Sequence, residues 1–339
     1  LRTVVRQKEQ IVYPDKQTSY IEYLSVCYSM PVWLVEHFCN AYGENACEKI
    51  LQSFMKRGAV GIRLQETAGL QQREEAIELW KQAGVQVSRH PYLPYAVEVQ
   101  KTDGIHSLAG FTEGLFAVQD VSSMLVVEAA GIRHGDTVID VCAAPGGKAM
   151  HAAEKLAGTG QVIACDVSSY KTDKIRENAQ RLRMTNVSVR EQDARVRDRT
   201  LVGQADVLIA DVPCSGLGVI GKKQDIKYRV TKESLEDIVK LQKEIIANAV
   251  HYLKQDGVMM YSTCTMNPAE NEEMAAWICR EYDMEPESMT EMMPKELKEA
   301  AKRGMIQLLP GIDETDGFFI ARLRRKRRDK SDSTQNEDT

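Results

Sequence analysis

The chain has 339 residues, 43% of them hydrophobic and 27% charged, so it is long enough for two domains and has the apolar fraction of an ordinary globular protein. Its formal charge of −5 excludes a protein that grips nucleic acid by bulk electrostatics, so any nucleic-acid partner has to be held by local patches. No apolar run approaches a membrane span and no signal peptide heads the sequence, which predicts a cytoplasmic protein.

Apolar positions at helical spacing, Ile21 and Leu24 and then Trp33, Leu34 and Phe38, are interrupted at Pro31 and Gly43. They predict a small helical segment over residues 1–57. Over 58–104 the pattern changes to strand, helix, strand, strand, carried by AVGIRL, REEAIELWKQAG, VQVSRH and YAVEVQ. A small α/β module is expected there; the alternative is a cap that merely packs on the core. The main domain is expected over 105–325, with Asp120 and Ser122 placed where a helix N-cap belongs. Strands are then predicted near 137–141, 161–165, 187–190, 206–210 and 258–261, and helices near 147–157, 169–183, 232–253 and 269–281. This alternation is the signature of a doubly wound parallel sheet, which binds ligands at the carboxyl ends of its strands.

The first of those strands runs into TVIDVCAAPGGKAMHAAE, Thr137 to Glu154. Gly146 and Gly147 let backbone pass close to a ligand, and the helix that follows starts with free N–H groups aimed at the same place. The spacing is wrong for a P-loop, because Cys142 stands where the first glycine belongs and Ala149 where Ser or Thr would hold magnesium. It is also not the three-glycine dinucleotide fingerprint. Asp166 closes the next strand, QVIACD, at the distance where a carboxylate takes the two ribose hydroxyls of a nucleoside. An ordinary tight strand-to-helix turn is the alternative.

Further on, Asn267-Pro268-Ala269-Glu270 reads as an N-cap, a proline in the first helical position and an acid at N3. GFFIARL, Gly317 to Leu323, reads as a terminal strand. The segment beyond 325 lacks apolar residues and is expected to be a disordered tail, its basic half either touching RNA or solvated. Eight cysteines include no CxxC pair, so neither a zinc site nor a disulfide framework has spacing to stand on, and no metal is expected.

CAAPGGK (Cys142 to Lys148), ADVPCSG (Ala210 to Gly216) and STCTMNPAENE (Ser262 to Glu272) resemble motifs I, IV and VI of the Sun/NOP2 family of RNA cytosine-C5 methyltransferases, over about residues 1 to 325. The resemblance is closest to its bacterial members that act on small-subunit (16S) rRNA. It implies a class I S-adenosylmethionine-dependent methyltransferase fold with an RRM-like subdomain ahead of it, an antiparallel last strand at the sheet edge, and 16S rRNA as partner. Such proteins carry a NusB-like helical domain before this region; the first residue here is Leu, and that domain is expected to be missing. A monomer is expected.

Cytosine C5 is not nucleophilic enough to take a methyl group directly, so a thiolate must add to C6 and a base must later remove the C5 proton. Two cysteines fall at strand ends, Cys214 in PCSG and Cys264 in TCT. The resemblance assigns Cys264 as nucleophile and Cys214 as the helper that resolves the adduct. It also implies that Asp211 faces both the methionine part of the cofactor and the cytosine ring, and that Asp193 is the adenine-side acid. Lys148 would bind the cofactor carboxylate or a substrate phosphate. Cys142, Ala143, Ala144, Pro145, Gly146 and Gly147 would complete the S-adenosylmethionine site with Asp166. Lys222, Lys223, Lys227 and Arg229 offer a line of RNA contacts or a solvated loop, and Arg176, Arg181 and Arg183 are expected to be solvent-exposed. Another RNA (tRNA or 23S rRNA), a DNA cytosine methyltransferase attacking from the PC position, and a non-catalytic RNA-binding assembly factor are the competing readings.

Overall fold

The computed structural model describes residues 6, 13–56 and 58–326, so the expected tail lies almost wholly outside the described residues. Three helices open the chain: α1 (Tyr20–Cys27), α2 (Val32–Tyr42) and α3 (Glu44–Phe54). Pro31 fixes the start of α2, and Gly43, at φ 80°, ends it in a conformation that favours glycine. The apolar face of these helices, with Leu24, Leu34, Phe38 and Ile50 fully buried, packs on Leu217, Ile220 and Met266, which lie just beyond Cys214 and Cys264 in the chain. The Tyr42 hydroxyl also donates to the Met266 carbonyl at 2.9 Å. The helical segment thus braces two loops of the main domain.

Next come β1 (Val60–Leu64), α4 (Leu70–Gln82), β2 (Gln86–Arg89) and β3 (Ala96–Gln100), in the order that the sequence pattern predicts. The antiparallel sheet has the order β2-β3-β1-β4 and takes its last strand, β4 (Phe116–Val118), from beyond residue 104. Three residues are too few to show a period, and what makes them a strand is non-local pairing with Ile62 to Leu64. Arg63, fully buried on β1, donates to Gln119 at 2.9 Å and ion-pairs with Glu154 of the main domain, whose other oxygen accepts from the Glu66 N–H at 2.6 Å. A buried arginine needs such partners, so the small sheet has a specific seat rather than a greasy one.

The main domain alternates α5 (Val121–Ala130), β5 (Thr137–Asp140), α6 (Gly147–Lys155), β6 (Gln161–Asp166), α7 (Ser169–Arg181), β7 (Val187–Glu191), β8 (Ala205–Asp211), the short α8 (Ile226–Arg229), α9 (Lys232–Ala249), β9 (Leu253–Thr263) and α10 (Glu272–Glu281). After it come β10 (Met284–Pro286), α11 (Lys298–Ala301), β11 (Met305–Leu308) and β12 (Phe318–Arg325). The sheet order is β10-β12-β9-β8-β5-β6-β7, with β11 beside β12; β9, β8, β5, β6 and β7 are parallel and β12 runs antiparallel to β9. The chain turns from one flank to the other between β5 and β8, and a crevice opens at the carboxyl ends of those strands. Asp120 caps α5, accepting from the Ser122 N–H at 3.0 Å. No helix among the described residues is long and apolar enough to cross a membrane.

One predicted start is corrected. Pro268–Glu270 forms a separate 3-10 turn, Asn271 breaks it at φ −113° and ψ −101°, and α10 begins only at Glu272. Glu270 does not cap its own helix because its carboxylate is drawn to the loop that follows β8.

Candidate active site

Parallel pairing places Asp140, Asp166 and Asp211 at neighbouring strand ends, and each carboxylate is handled differently. Asp166 accepts from the Ala144 N–H at 2.9 Å, from its neighbour Val167 N–H at 2.8 Å and from Lys171 Nζ at 2.9 Å. It thereby ties the end of β6 to the turn of motif I. Gly146, at φ 107°, closes that turn, which holds a cis Ala144–Pro145 peptide and launches α6. Asp140 is buried, with only a long bond from the Cys142 N–H at 3.4 Å, and burial, then the charge of Asp211, push its carboxyl up to about 7 against the pull of Lys148.

Asp211 pairs in register with Ser262 across β8 and β9. It accepts from Ser262 Oγ at 2.8 Å and from Lys148 Nζ at 2.6 Å, so Lys148 reaches from the second position of α6 across the crevice. Three residues past Asp211 and two past Ser262 stand Cys214 and Cys264, their Sγ atoms 3.2 Å apart. The hydrogen bond shared with Cys214, with help from the positive fields of Lys148 and Lys223, lowers the Cys264 thiol against burial and Asp211. The Cys214 thiol is raised well above its ordinary value by that same bond, by burial and by the charges of Glu270 and Asp211. The two thiols are thus pushed in opposite directions, Cys264 down and Cys214 up.

A cavity of about 240 Å³ lies on the other side of the motif I turn, lined by Val141, Cys142, Asp166, Asp193, Pro213 and Ile245 among others. Asp193 stands at its mouth, where Arg195 Nη2 meets its Oδ2 at 2.6 Å. Of the motif I run, Cys142 lines the cavity, while Ala143, Ala144, Pro145, Gly146 and Gly147 make the turn next to it and Lys148 points to Asp211. Mostly apolar walls with the Asp166 and Asp193 carboxylates among them suit an adenosine.

Three expectations are corrected. Lys222 is no free RNA contact: its ammonium lies 2.8 Å from Asp120 and 2.6 Å from Asp316, which hold it between them. Lys227 is buried. Arg181 is half-buried, donating to the Phe111 and Phe116 carbonyls with its guanidinium 4.2 Å above the Phe111 ring. Lys223 and Arg229 remain exposed, with Tyr228 between them 69% exposed.

Sequence reading missed the polar cluster beneath the two cysteines, made of Glu270, Ser215, Thr265, Gln242 and Asn271. Asn271 accepts from Thr263 Oγ1 at 2.6 Å and donates to the Thr265 carbonyl at 3.1 Å, bracketing Cys264. The signal was the run of polar residues in NPAENE, more than a cap requires.

Residues 129–324 match the family described as "16S rRNA methyltransferase RsmB/F", and residues 30–106 match the ferredoxin-like domain of RsmF/B-like methyltransferases. The chain belongs to the RsmB/F family. Its relatives include the probable ribosomal RNA small subunit methyltransferase B of Bacillus subtilis (33% identical, 94% of this chain and 72% of the relative). The corresponding protein of Klebsiella pneumoniae is 30% identical, over 96% of this chain and 72% of its own. Among solved structures, a methyltransferase homologue protein from Pyrococcus horikoshii superposes with a TM-score of 0.72 at 25% identity (89% of this chain, 98% of that one). NSun6 from the same organism, solved with SFG, gives 0.75 at 23%, over 88% of this chain and 99% of that one, a likeness of fold. The fold is the class I S-adenosylmethionine-dependent methyltransferase fold, and as an RsmB/F member the chain is an RNA methyltransferase that uses S-adenosylmethionine.

Proposed function

We propose that the chain methylates C5 of a cytosine in 16S rRNA through a covalent adduct of Cys264 with C6. The observation that carries this reading is the pair of sulfurs 3.2 Å apart at the ends of β8 and β9, with Asp211 beside them. Cys264 attacks C6 as thiolate, which turns C5 into an enamine carbon. S-adenosylmethionine would supply the electrophilic methyl group; Cys142, Asp166 and Asp193 would hold its nucleoside, with Asp166 free to exchange Lys171 for the ribose hydroxyls. Asp211, held by Lys148 and Ser262, faces the cytosine ring and hydrogen-bonds its N3 or exocyclic amine as charge develops. A solvent water or hydroxide takes the C5 proton, the C5–H electron pair re-forms the C5–C6 double bond and expels the Cys264 sulfur from C6 as thiolate, and Cys214, holding a proton next to that sulfur, receives it into a hydrogen bond.

The flipped cytosine costs a few kcal/mol to unstack. Exposed Tyr228, Lys223 and Arg229 offer a stacking face and phosphate contacts to offset it. We place this chemistry in a cytoplasmic monomer whose helical segment (1–57), RRM-like module (58–104) and catalytic domain (105–325) divide the work of docking and catalysis. The relatives are named for ribosomal RNA of the small subunit and the family for 16S rRNA, which supports that substrate.

The test uses unmodified 16S transcript and labelled cofactor. Cys264→Ala abolishes methyl transfer while retaining cofactor binding, and Cys214→Ala stalls as protein covalently joined to RNA on a denaturing gel. Adduct accumulating instead in Cys264→Ala means attack from Cys214, and methylation retained in both without adduct ends the covalent reading. Equal methylation of tRNA or 23S rRNA removes the substrate assignment.

A further inference from the structure

Glu270 has no part in the chemistry above, yet it is fully buried and all of its acceptor capacity is used. Oε1 accepts from Ser215 Oγ at 2.5 Å and Asn267 Nδ2 at 3.0 Å; Oε2 accepts from the Ser215 N–H at 2.9 Å and Gln242 Nε2 at 3.0 Å. No cation pairs with it among the described residues. A buried carboxylate with four neutral donors and no counter-ion is costly, and such a group is kept in place by the geometry it imposes.

Ser215 follows Cys214 directly, Thr265 follows Cys264 directly, and their hydroxyl oxygens are 2.6 Å apart. A hydroxyl has one proton to give. Ionised, Glu270 can only accept, so Ser215 spends its proton there and Thr265 must donate to Ser215. One acid therefore fixes the direction of a hydrogen-bond chain that spans both cysteine loops. Its charge also falls unequally: it acts on Cys214, whereas the cations acting on Cys264 are Lys148 and Lys223. The remaining ionisable groups facing the pair are Asp211, which acts on both thiols, and Tyr261, whose phenol is pushed well up by burial and stays neutral while its hydroxyl donates to the Glu270 carbonyl at 2.6 Å.

We propose that Glu270 is the positioning residue that makes the two cysteines unequal, holding the Ser215 loop so that Cys214 keeps its proton and presents it to the sulfur of Cys264. The inference rests on the reading of Cys264 as the attacking thiolate. It explains how two thiols at equivalent strand ends come to take different parts.

The experiment is site-resolved alkylation with iodoacetamide across pH, using the full chain without RNA and mapping each cysteine by mass spectrometry. In the unaltered protein Cys264 labels at lower pH than Cys214; simultaneous labelling or the reverse order overturns the proposal without any variant. In Glu270→Gln, a neutral replacement of the same shape, the Cys214 midpoint falls by about one pH unit or more, the ordinary reach of one nearby charge. Glu270→Asp, which keeps the charge, restores most of the gap. A purely structural role moves both midpoints together toward free-thiol values, and an unmoved Cys214 midpoint in a folded Glu270→Gln protein is equally fatal. Because no methylation is measured, failure here is distinct from failure of the covalent reading, which the adduct gel decides alone.

Discussion

Asp140→Asn changes how stability depends on pH, and the size of the change follows from the site. In the folded chain burial and Asp211 hold the Asp140 carboxyl at about 7, against 3.8 for the unperturbed group. Between those values the folded state carries a proton that the unfolded state has released. The unfolded state therefore binds fewer protons, and stability falls as pH rises through the window, by roughly 1.4 kcal/mol per pH unit. Over the three units the contribution amounts to roughly 4 kcal/mol, fully present below pH 4 and lost above pH 7. His151, held down to about 3 by burial, and Glu128, held at about 2, act in the opposite sense as pH falls, so the total profile is a composite. The difference between the two proteins isolates Asp140. Urea unfolding at intervals from pH 4 to 8 should show Asp140→Asn gaining on the unaltered chain steadily, by several kcal/mol in all. A difference that stays flat to within half a kcal/mol shows that Asp140 is ionised throughout, and that Lys148 serves it as fully as it serves Asp211.

Asp166→Ala removes the acceptor for Lys171 and for the Ala144 N–H. S-adenosylmethionine affinity without RNA is expected to fall by about 2–4 kcal/mol in calorimetry, and equal affinity takes Asp166 out of the ribose site. Gly218→Ala forces a Cβ to within 1.9 Å of the Gly317 carbonyl oxygen, where backbone leaves no room. Because the Gly218 N–H donates to the Cys264 carbonyl at 3.1 Å, the variant should lose roughly 3 kcal/mol or more of stability together with activity; a thermal melt within a degree of the parent refutes the packing argument.

The strand and helix alternation of the main domain was legible because most of its parallel strands hold an apolar run closed by a polar residue, and three of those closing residues are the acids Asp140, Asp166 and Asp211. What escaped was non-local. β4 is a strand only through β1, and Glu270 satisfied a cap rule so well that its true partner, one loop and 55 residues away, left no trace in local spacing. The basic loop failed for a related reason: charge in a sequence does not say whether an acid stands opposite, and Asp120 and Asp316 stand opposite Lys222.

The same accounting of charge separates the two ligands. At the strand ends, Asp140, Asp166 and Asp211 face Lys148 and Lys171, with Asp193 and Arg195 cancelling at the cavity mouth. The strand-end groups are therefore net negative at any pH where Asp140 is ionised. That balance suits a donor with a sulfonium and an ammonium group and repels a polyanion. On the proposed reading RNA is anchored outside the crevice, where Lys223, Tyr228 and Arg229 are exposed, and an uncharged base, separated from its phosphate, enters. If Cys264 attacks as proposed, unstacking the cytosine follows from the electrostatics of the crevice as well as from the reach of that sulfur.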